Sequence, residues 1–377
     1  MFLLNEILLF LPLVAYSVFR VMRLLKRPWT RVLFLVAFLV ILGGFPLADR
    51  LSHQGAAGAA HWVMMAGWYA LPLLLYFMLT VVPVDLVLGF LRLTGILSKE
   101  TVAAPRFRSI RLGAYLLVPV LAVAAGIVNY NTIRIHRYSI ELPRRSASVD
   151  KLRIVFASDF HLSDRTSPRF METFAAKVNA QDPDVVLIGG DVFEGDRSDE
   201  DTLGFEKGFR SIRSKYGLFG VPGNHEGYAG GRTDFFEKAG IRLLRDEVVR
   251  FDQALIVAGR SDGHRHGHGR PGERGRVSVA DLLSGTVHDL PLVVVDHQPV
   301  DNDAISRAGA DVQLSGHTHR GQLFPVNFVT HHRYEIDNGY KRKGATHVFV
   351  STGVQLWGPP VRTTGYSEIL VVDIKLK

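Results

Sequence analysis

Uncharged apolar stretches are concentrated in the first third of the chain. Residues 33–42 and 71–82 contain no charged side chain. A helix needs about 20 apolar residues to cross a bilayer, so this pattern predicts about four transmembrane helices within residues 1–129. The four segments are 7–21, 32–48, 62–88 and 112–128. Residues 130–150 are then predicted to form a connector to the rest of the chain.

The first of these segments could instead be a signal peptide. Signal peptides begin with basic residues and end at a small-residue cleavage site. This segment begins with Asn5 and Glu6, and no such site precedes Arg20. We therefore interpret it as a retained membrane helix.

Basic residues in the short connections predict how the helices are oriented, because such residues stay in the cytoplasm. The first and third connections are rich in Lys and Arg, whereas the second contains only Arg50. An even number of crossings then places the domain after the fourth helix outside the cytoplasm. Basic residues within 134–145 favour the opposite orientation, although long domains translocate largely regardless of such charges. A cytoplasmic domain therefore stays open as an alternative.

From residue 151 the pattern changes to short β-rich runs separated by amphipathic stretches. This alternation is typical of a layered α/β domain, which we place at residues 151–377. Pro168 suits the first turn of a helix over residues 168–180. The predicted strands are 153–157, 185–188, 218–221, 255–258, 292–295, 312–314, 347–350 and 369–374.

Five of these strands are followed directly by Asp, Asn or His side chains. A single Asp-x-His or Gly-Asp sequence is usually structural. Five such sites in order, each at the carboxyl end of a strand where open α/β sheets place ligands, indicate a functional site. The candidate residues are Asp159, His161, Asp191, Asn224, His225, His297, His317 and His319.

Composition and charge narrow the function further. The chain has no cysteine, so a disulfide, a thiolate zinc site and a Cys nucleophile are all impossible. Its net charge of +8 could indicate nucleic-acid binding, but many basic residues flank the apolar segments, where they would face lipid headgroups. Basic and aromatic residues also do not alternate. We expect contact with the membrane bilayer and no nucleic-acid partner.

These motifs resemble those of the calcineurin-like metallophosphoesterase superfamily, which carries Asp-x-His, Gly-Asp, Gly-Asn-His-(Asp/Glu), His and Gly-His-x-His in this order. Residues 351–353 and 357–362 look like those of its membrane-tethered bacterial branch. The resemblance implies a multi-pass protein of the bacterial cell membrane whose soluble domain is a four-layer α/β/β/α sandwich that hydrolyses phosphoric esters. Glu226 stands where many relatives have Asp, a tolerated variant.

The same resemblance implies a binuclear metal centre, with His225 beside the substrate phosphate as general acid or charge stabiliser. Carboxylate, imidazole and amide ligands suit Mn, Fe or Zn. Two such divalent ions can hold a bridging hydroxide and clamp the phosphoryl oxygens. One ion would be held by Asp159, His161 and His319, the other by Asn224, His297 and His317, and Asp191 would bridge them.

The leading hypothesis is therefore a phosphodiesterase-type hydrolase of phosphoester or pyrophosphate bonds, acting at the membrane surface on a phosphorylated substrate, which could be lipid-linked. Some membrane-associated members of the superfamily split the pyrophosphate of UDP-2,3-diacylglucosamine in lipid A synthesis. That alternative requires a cytoplasmic catalytic domain. The other alternative is a non-catalytic, metal-binding membrane sensor. Such a degenerate domain would be expected to have lost at least one ligand, and every motif ligand is present.

Four weaker features complete the sequence picture. Arg362, beside a Pro-Pro turn, and Arg260 are candidates for contacting an anionic substrate. Asp85 is interpreted as a solvated residue near the headgroups, without a function. Residues 261–276 could hold a further metal ion, but we interpret them as a mobile, solvated connection. Their histidines are His264, His266 and His268.

Overall fold

The computed structural model describes residues 2–53, 59–163, 166–194, 199–228, 234–262 and 276–377. The chain divides into two compact units. The first comprises Met1–Val128 with Gly358–Thr363, and the second comprises Asn129–Trp357 with Thr364–Lys377. The predicted bounds 1–129, 130–150 and 151–377 stay predictions.

The first unit is helical. Three stretches of the described residues are long and apolar enough to cross a membrane, namely Pro28–Leu51, Ala59–Leu93 and Pro105–Asn131. The first predicted segment lies in α1, whose side chains are described from residue 11 onward. The helices are α1 Phe2–Leu24, α2 Pro28–His53, α3 Ala59–Trp68, α4 Ala70–Leu93, α5 Lys99–Ala103 and α6 Pro105–Asn131.

Asp85 joins three of these helices and is only 8% exposed, so the solvated role expected for it is wrong. Its carboxylate accepts from the guanidinium of Arg20 on α1, with Nη2 2.8 Å from Oδ1. The hydroxyls of Tyr16 on α1 and Tyr115 on α6 also donate to it. An ion pair with added hydrogen bonds allows a carboxylate to be buried, which a short apolar window around Asp85 does not reveal.

The second unit contains two six-stranded sheets, ordered β1-β12-β2-β3-β4-β5 and β10-β11-β9-β8-β7-β6. Strand β1 lies in the segment predicted as a connector. The strands are β1 Ile133–Leu142, β2 Lys151–Ala157, β3 Val185–Ile188, β4 Leu218–Gly220, β5 Ile241–Leu243, β6 Glu247–Phe251, β7 Leu255–Gly259, β8 Leu292–Val295, β9 Val312–Ser315, β10 Gly339–Lys343, β11 Thr346–Val350 and β12 Ser367–Leu376.

The helices of this unit lie between its strands in the chain. The predicted helix over residues 168–180 is confirmed as α7, and a short 3-10 turn at His319–Gly321 follows β9. The helices are α7 Pro168–Asn179, α8 Asp199–Arg210, α9 Asn224–Tyr228, α10 Asp234–Lys238, α11 Val279–Leu282, α12 Asn302–Arg307 and α13 Asn327–Arg333.

Alternating side chains of β2 show how the layers form. Ile154 and Phe156 belong to the core that the two sheets share, together with residues of β7, β8 and β9. Val155 and Ala157 face the opposite way, into a second core with α7 and α8. Because successive strand residues point to opposite faces, one apolar strand supports both layers. The predicted α/β/β/α sandwich is confirmed.

The strands that precede the candidate residues run parallel to one another within each sheet. In the first sheet β2, β3 and β4 pair in parallel, and in the second β7, β8 and β9 do the same. Parallel strands bring their carboxyl ends to one edge of each sheet. The two edges meet at the site described next.

Candidate metal centre

The backbone of the candidate residues is strained. Five of them adopt a positive φ, a region that costs an L-residue about 1–2 kcal/mol. Such strain is concentrated at functional sites, where the surrounding structure holds it in place. The angles are 57° at Asp159, 42° at His161, 52° at Asp191, 72° at His317 and 48° at His319.

Two glycines let the loops approach these side chains closely. A Cβ atom on Gly223 would lie 2.2 Å from Oδ1 of Asp191, and one on Gly316 would lie 2.4 Å from Oδ2 of Asp159. Both distances are shorter than a van der Waals contact, so no larger residue fits without moving a carboxylate. The glycines beside the motif residues are therefore required by packing around the site.

Asp159, His161 and His319 form the first cluster. The Nε2 atoms of the two imidazoles lie 3.2 Å apart. Oδ1 of Asp159 lies 3.5 Å from Nε2 of His319, and all three residues are buried. The hydroxyl of Ser158 and the backbone N–H of His317 donate to the Asp159 carboxylate and orient it. One carboxylate oxygen and two imidazole nitrogens thus surround a space about the size of a single atom.

Asn224, His297 and His317 form the second cluster. Oδ1 of Asn224 lies 3.1 Å from Nε2 of His297 and 2.9 Å from Nδ1 of His317. The other ring nitrogen of His297, Nδ1, donates to the carbonyl of Gly189 at 2.7 Å, which fixes the ring and leaves Nε2 facing the cluster. A ligand histidine anchored through its second nitrogen is the usual arrangement at a metal site.

Asp191 lies between the two clusters. Its Oδ2 is 3.8 Å from Nε2 of His161 and 3.2 Å from Nε2 of His297. Its Oδ1 accepts from the backbone N–H of His225 at 2.8 Å. One carboxylate oxygen therefore faces a histidine of each cluster, as a bridging ligand would have to do.

The electrostatics of the site favour cation binding. Burial lowers the pKa of His161 well below its ordinary value and that of His317 to about 4, so both imidazoles are neutral and can act as ligands. Burial would also lower the pKa of His297, but the Asp191 carboxylate raises it well above the ordinary value. Burial would raise the pKa of Asp191, yet His297 holds it well below its usual range. A bound cation would take the place of the proton that this pair shares.

These residues fit divalent metal ions. Each of three groups offers donor atoms that all lie within 4.8 Å of one another. The Nδ1 atom of His161 is buried and has no hydrogen-bond partner among the described residues, so protein hydrogen bonds alone do not explain the position of this ring. The groups are Asp159, His161 and His319; His161, Asp191 and His225; and Asp191, His297 and His317.

His225 occupies a different position from the buried histidines. Its ring meets that of His161 edge-on, with centroids 4.7 Å apart and planes at 87°. It is only partly buried, whereas His161 is 1% exposed. A molecule that enters from solvent can therefore reach His225 at the rim of the site.

Glu226 has a role that the sequence analysis missed. Its buried carboxylate accepts hydrogen bonds from the backbone N–H groups of Gly223 at 2.7 Å and Asp191 at 2.9 Å. It also accepts from Val192 at 2.7 Å and from Phe193 at 3.3 Å. One side chain thus holds the loop after β3 against the loop after β4. The only indication of this role in the sequence is the position of Glu226 at the end of the Gly-Asn-His-Glu motif.

The weaker candidates from the sequence have different outcomes. The guanidinium of Arg260 is 2% exposed and bonds to Asp296 and Asp301, both at 2.8 Å, so its charge is already neutralised and the substrate contact suggested for it is not supported. Arg362 belongs to the first unit and is fully buried, and its backbone N–H donates to the carbonyl of Gly126. The substrate contact suggested for its side chain stays a prediction. His264, His266 and His268 lie outside the described residues.

Paired clusters of oxygen and nitrogen donors that share a carboxylate are typical of metal-dependent phosphoester hydrolases. The family model for calcineurin-like phosphoesterases matches residues 152–321, which contain every candidate ligand. An "Uncharacterized metallophosphoesterase" of Aquifex aeolicus is 30% identical over 269 residues, covering 70% of this chain and 99% of that protein. The chain belongs to the calcineurin-like phosphoesterase family and is a metal-dependent phosphoester hydrolase.

Two further relatives extend this comparison. An "Uncharacterized metallophosphoesterase" of Campylobacter jejuni is 30% identical over 270 residues, covering 70% of this chain and 69% of that protein. A Bos taurus protein named "Transmembrane protein with metallophosphoesterase domain" is 31% identical over 253 residues, covering 61% of this chain and 55% of that protein. With the three candidate spans, the second relative supports a membrane location for this chain.

Proposed function

We propose that the protein is a phosphodiesterase-type hydrolase that cleaves a phosphoester or pyrophosphate bond at the membrane surface with two divalent metal ions. The observation that carries this proposal is the position of Asp191. Its Oδ2 faces His161 of one cluster and His297 of the other. A site for a single ion would not need a carboxylate between two sets of donors.

We assign the two ions to the ligand sets that the motifs suggest. Asp159, His161 and His319 would hold one ion, Asn224, His297 and His317 would hold the other, and Asp191 would be a ligand shared by both. Nitrogen and oxygen donors without sulfur suit Mn, Fe or Zn. When bound, the ions supply an acidified water and neutralise charge on the phosphoryl oxygens.

The remaining chemistry belongs to His225. Its backbone is fixed by the bond from its N–H to Asp191, and its ring lies against His161 at the rim. From there the imidazole can donate a proton to the leaving-group oxygen or stabilise charge on the phosphate without occupying a ligand position. We propose His225 as the catalytic residue of the hydrolysis.

The proposal is tested on the full-length protein in detergent with Mn²⁺ and bis(p-nitrophenyl) phosphate. We expect metal-dependent hydrolysis that Asp191→Asn and His225→Ala reduce by about 10³-fold or more. Asp289→Asn and His288→Ala are the matched controls. Asp289 pairs with Arg250 at the surface, His288 is partly exposed, and both should keep full activity.

Full activity in the two site variants would remove the proposal. So would the absence of activity with Mn²⁺, Fe²⁺ and Zn²⁺ alike, which would favour the non-catalytic metal-binding sensor. Metal analysis of the same samples distinguishes these outcomes, because the sensor would still bind metal.

The natural substrate depends on the side of the membrane. We propose that the catalytic domain lies outside the cytoplasm of a bacterial cell, because the first and third connections between the predicted helices are the basic ones. A phosphatase reporter fused after Lys377 should then be active, because such a reporter works only outside the cytoplasm. An inactive reporter would favour the cytoplasmic alternative, a nucleotide-linked lipid pyrophosphate such as UDP-2,3-diacylglucosamine.

A further inference from the structure

An exposed apolar segment follows the metal centre directly in the chain. We call residues 322–333 the site-edge loop; it begins three residues after His319 and includes α13. Helix α13 has no buried residue. Four apolar side chains of the loop face solvent: Phe324 is 45% exposed, Val326 42%, Phe328 62% and Val329 64%. A cluster of this kind on a soluble domain marks an interaction surface.

The base of the site-edge loop is held by hydrogen bonds and packing, so its apolar side chains are exposed on an ordered segment. Leu323 is buried, and the carbonyl of Gln322 accepts from the backbone N–H of Thr364 at 3.2 Å. The hydroxyl of Thr330 donates to Oδ2 of Asp337 at 3.1 Å. The rings of Phe324 and Phe328 contact each other, with centroids 5.7 Å apart. The apolar side chains therefore project from an ordered support.

The charge of the loop is one-sided. Residues 322–333 contain Arg333 and two histidines, and no Asp or Glu. Arg333 and both histidines are exposed. Apolar side chains beside basic ones are typical of segments that lie in the interface of an anionic membrane.

The covalent chain connects the second unit directly to a candidate membrane span. Helix α6 is one of the three candidate membrane spans and ends at Asn131, and β1 begins at Ile133. A single residue therefore connects a membrane helix to the first sheet, and it reaches less than about 4 Å.

We propose that the site-edge loop inserts Phe324, Val326, Phe328 and Val329 into the headgroup and acyl boundary of an anionic lipid bilayer. The occupant of the surface is lipid, and the basic residues face the lipid phosphates. Because His317 and His319 immediately precede the loop, its insertion would hold the metal centre at the depth of phosphate groups carried by lipids.

Site-specific labelling tests this proposal directly, because the chain has no cysteine of its own. Phe328→Cys and Val329→Cys variants of the full-length protein are labelled with an environment-sensitive fluorophore and placed in nanodiscs that contain phosphatidylglycerol. We expect a blue shift and quenching by spin-labelled lipid at both positions. The matched control is Val287→Cys, which is 68% exposed and precedes the amino end of β8, whereas the site-edge loop follows the carboxyl end of β9.

Other outcomes overturn the proposal. Labels at residues 328 and 329 that behave like the label at 287 would show that the loop stays in water. Labels shielded from a water-soluble quencher but not quenched by spin-labelled lipid would show that a protein surface covers the loop. Thermal unfolding of each labelled variant confirms folding, and neither readout depends on enzymatic activity.

A charge variant separates the basic residues from the apolar ones. Arg333→Glu, measured with the label at residue 328, should reduce lipid quenching in anionic nanodiscs and leave it little changed in zwitterionic ones, since the attraction acts only on anionic lipid. Equal quenching of Arg333→Glu and its parent in anionic nanodiscs would remove the electrostatic part of the proposal.

Discussion

Glu226, which lies in α9 after β4, and Asp296, which follows β8, are both buried carboxylates next to ligand residues, but they bond to different kinds of partner. Glu226 accepts from four backbone N–H groups, including those of Gly223 and Asp191. Asp296, which precedes His297, faces the guanidinium groups of Arg260 and Arg276. Glu226 is therefore bonded to backbone groups, whereas Asp296 is paired with arginine side chains.

The difference has a physical consequence for the two halves of the site. Backbone donors cannot turn towards another partner without moving the loops, whereas an arginine side chain can change its rotamer and find Asp301 or water. We therefore expect the geometry around Asp191 to depend on Glu226 more strongly than the geometry around His297 depends on Asp296.

The largest effect is expected for Glu226→Ala. Four buried N–H groups would lose their acceptor, and each unsatisfied donor costs about 1–3 kcal/mol, so the variant should lose about 5 kcal/mol or more of its free energy of unfolding. Thermal unfolding in detergent and metal analysis measure the loss of stability and of bound metal. Glu237→Ala, an exposed residue of α10, is the control. Similar unfolding of the two variants would contradict the role given to Glu226.

A smaller loss is expected for Asp296→Asn. Breaking a buried ion pair typically costs about 3–5 kcal/mol, and Asp301, which contacts Arg260 at 2.8 Å and Arg276 at 3.3 Å, should keep the cost near about 3 kcal/mol. Asp289→Asn breaks an exposed pair with Arg250 and should have a much smaller effect on stability, because exposed ion pairs contribute little. The same unfolding measurement compares them. A loss as large as that of Glu226→Ala would erase the distinction between the two carboxylates.

Removal of metal should destabilise both halves together. Ions held by both sets of loops bind only the folded state, and at a free concentration of 100 times Kd they stabilise it by about 2.7 kcal/mol. A chelator should therefore lower the unfolding temperature of the wild type, and added Mn²⁺ should restore it. The chelator should have little effect on Asp191→Asn. An unchanged unfolding temperature after measured loss of metal would show that the clusters do not depend on ions.

The smallest effect is a pH dependence at the edge of the first sheet. The hydrogen bond to Glu368 on β12 raises the pKa of His136 on β1 above its ordinary value. Because the folded protein binds this proton more tightly, the stabilisation is fully present below the unfolded pKa and is lost as pH rises through the folded one. His136 is partly exposed, so the amount is about 1 kcal/mol or less. His136→Gln should flatten stability between about pH 6 and 8; an unchanged slope would contradict this.

The buried strands could be predicted from sequence and the edge strands could not. Strands β3 and β8 are runs of four buried apolar residues and were predicted with their observed bounds. Strand β1 at the sheet edge, with Arg134, His136 and Arg137, has no such run, and β10 is mostly exposed. A strand that faces water on one side and ends a sheet carries little hydrophobic signal.

The candidate ligands could be predicted because each directly follows an apolar strand, and the structure brings all of them together. The role of Glu226 could not, because four backbone donors from two loops converge on it only after folding. Asp85 shows the same limit in the membrane helices, since its partners Arg20 and Tyr115 are distant in the chain. Motif spacing predicts which residues meet but does not predict which carboxylate supports them.

The position of β12 has a consequence for how the protein is made. This strand, residues 367–376, lies between β1 and β2 and pairs with both. The first sheet therefore stays open until the ribosome has synthesised nearly 230 residues beyond β2's start, about 10–50 s at usual elongation rates. During that interval β1 and β2 lack the strand that joins them in the finished sheet.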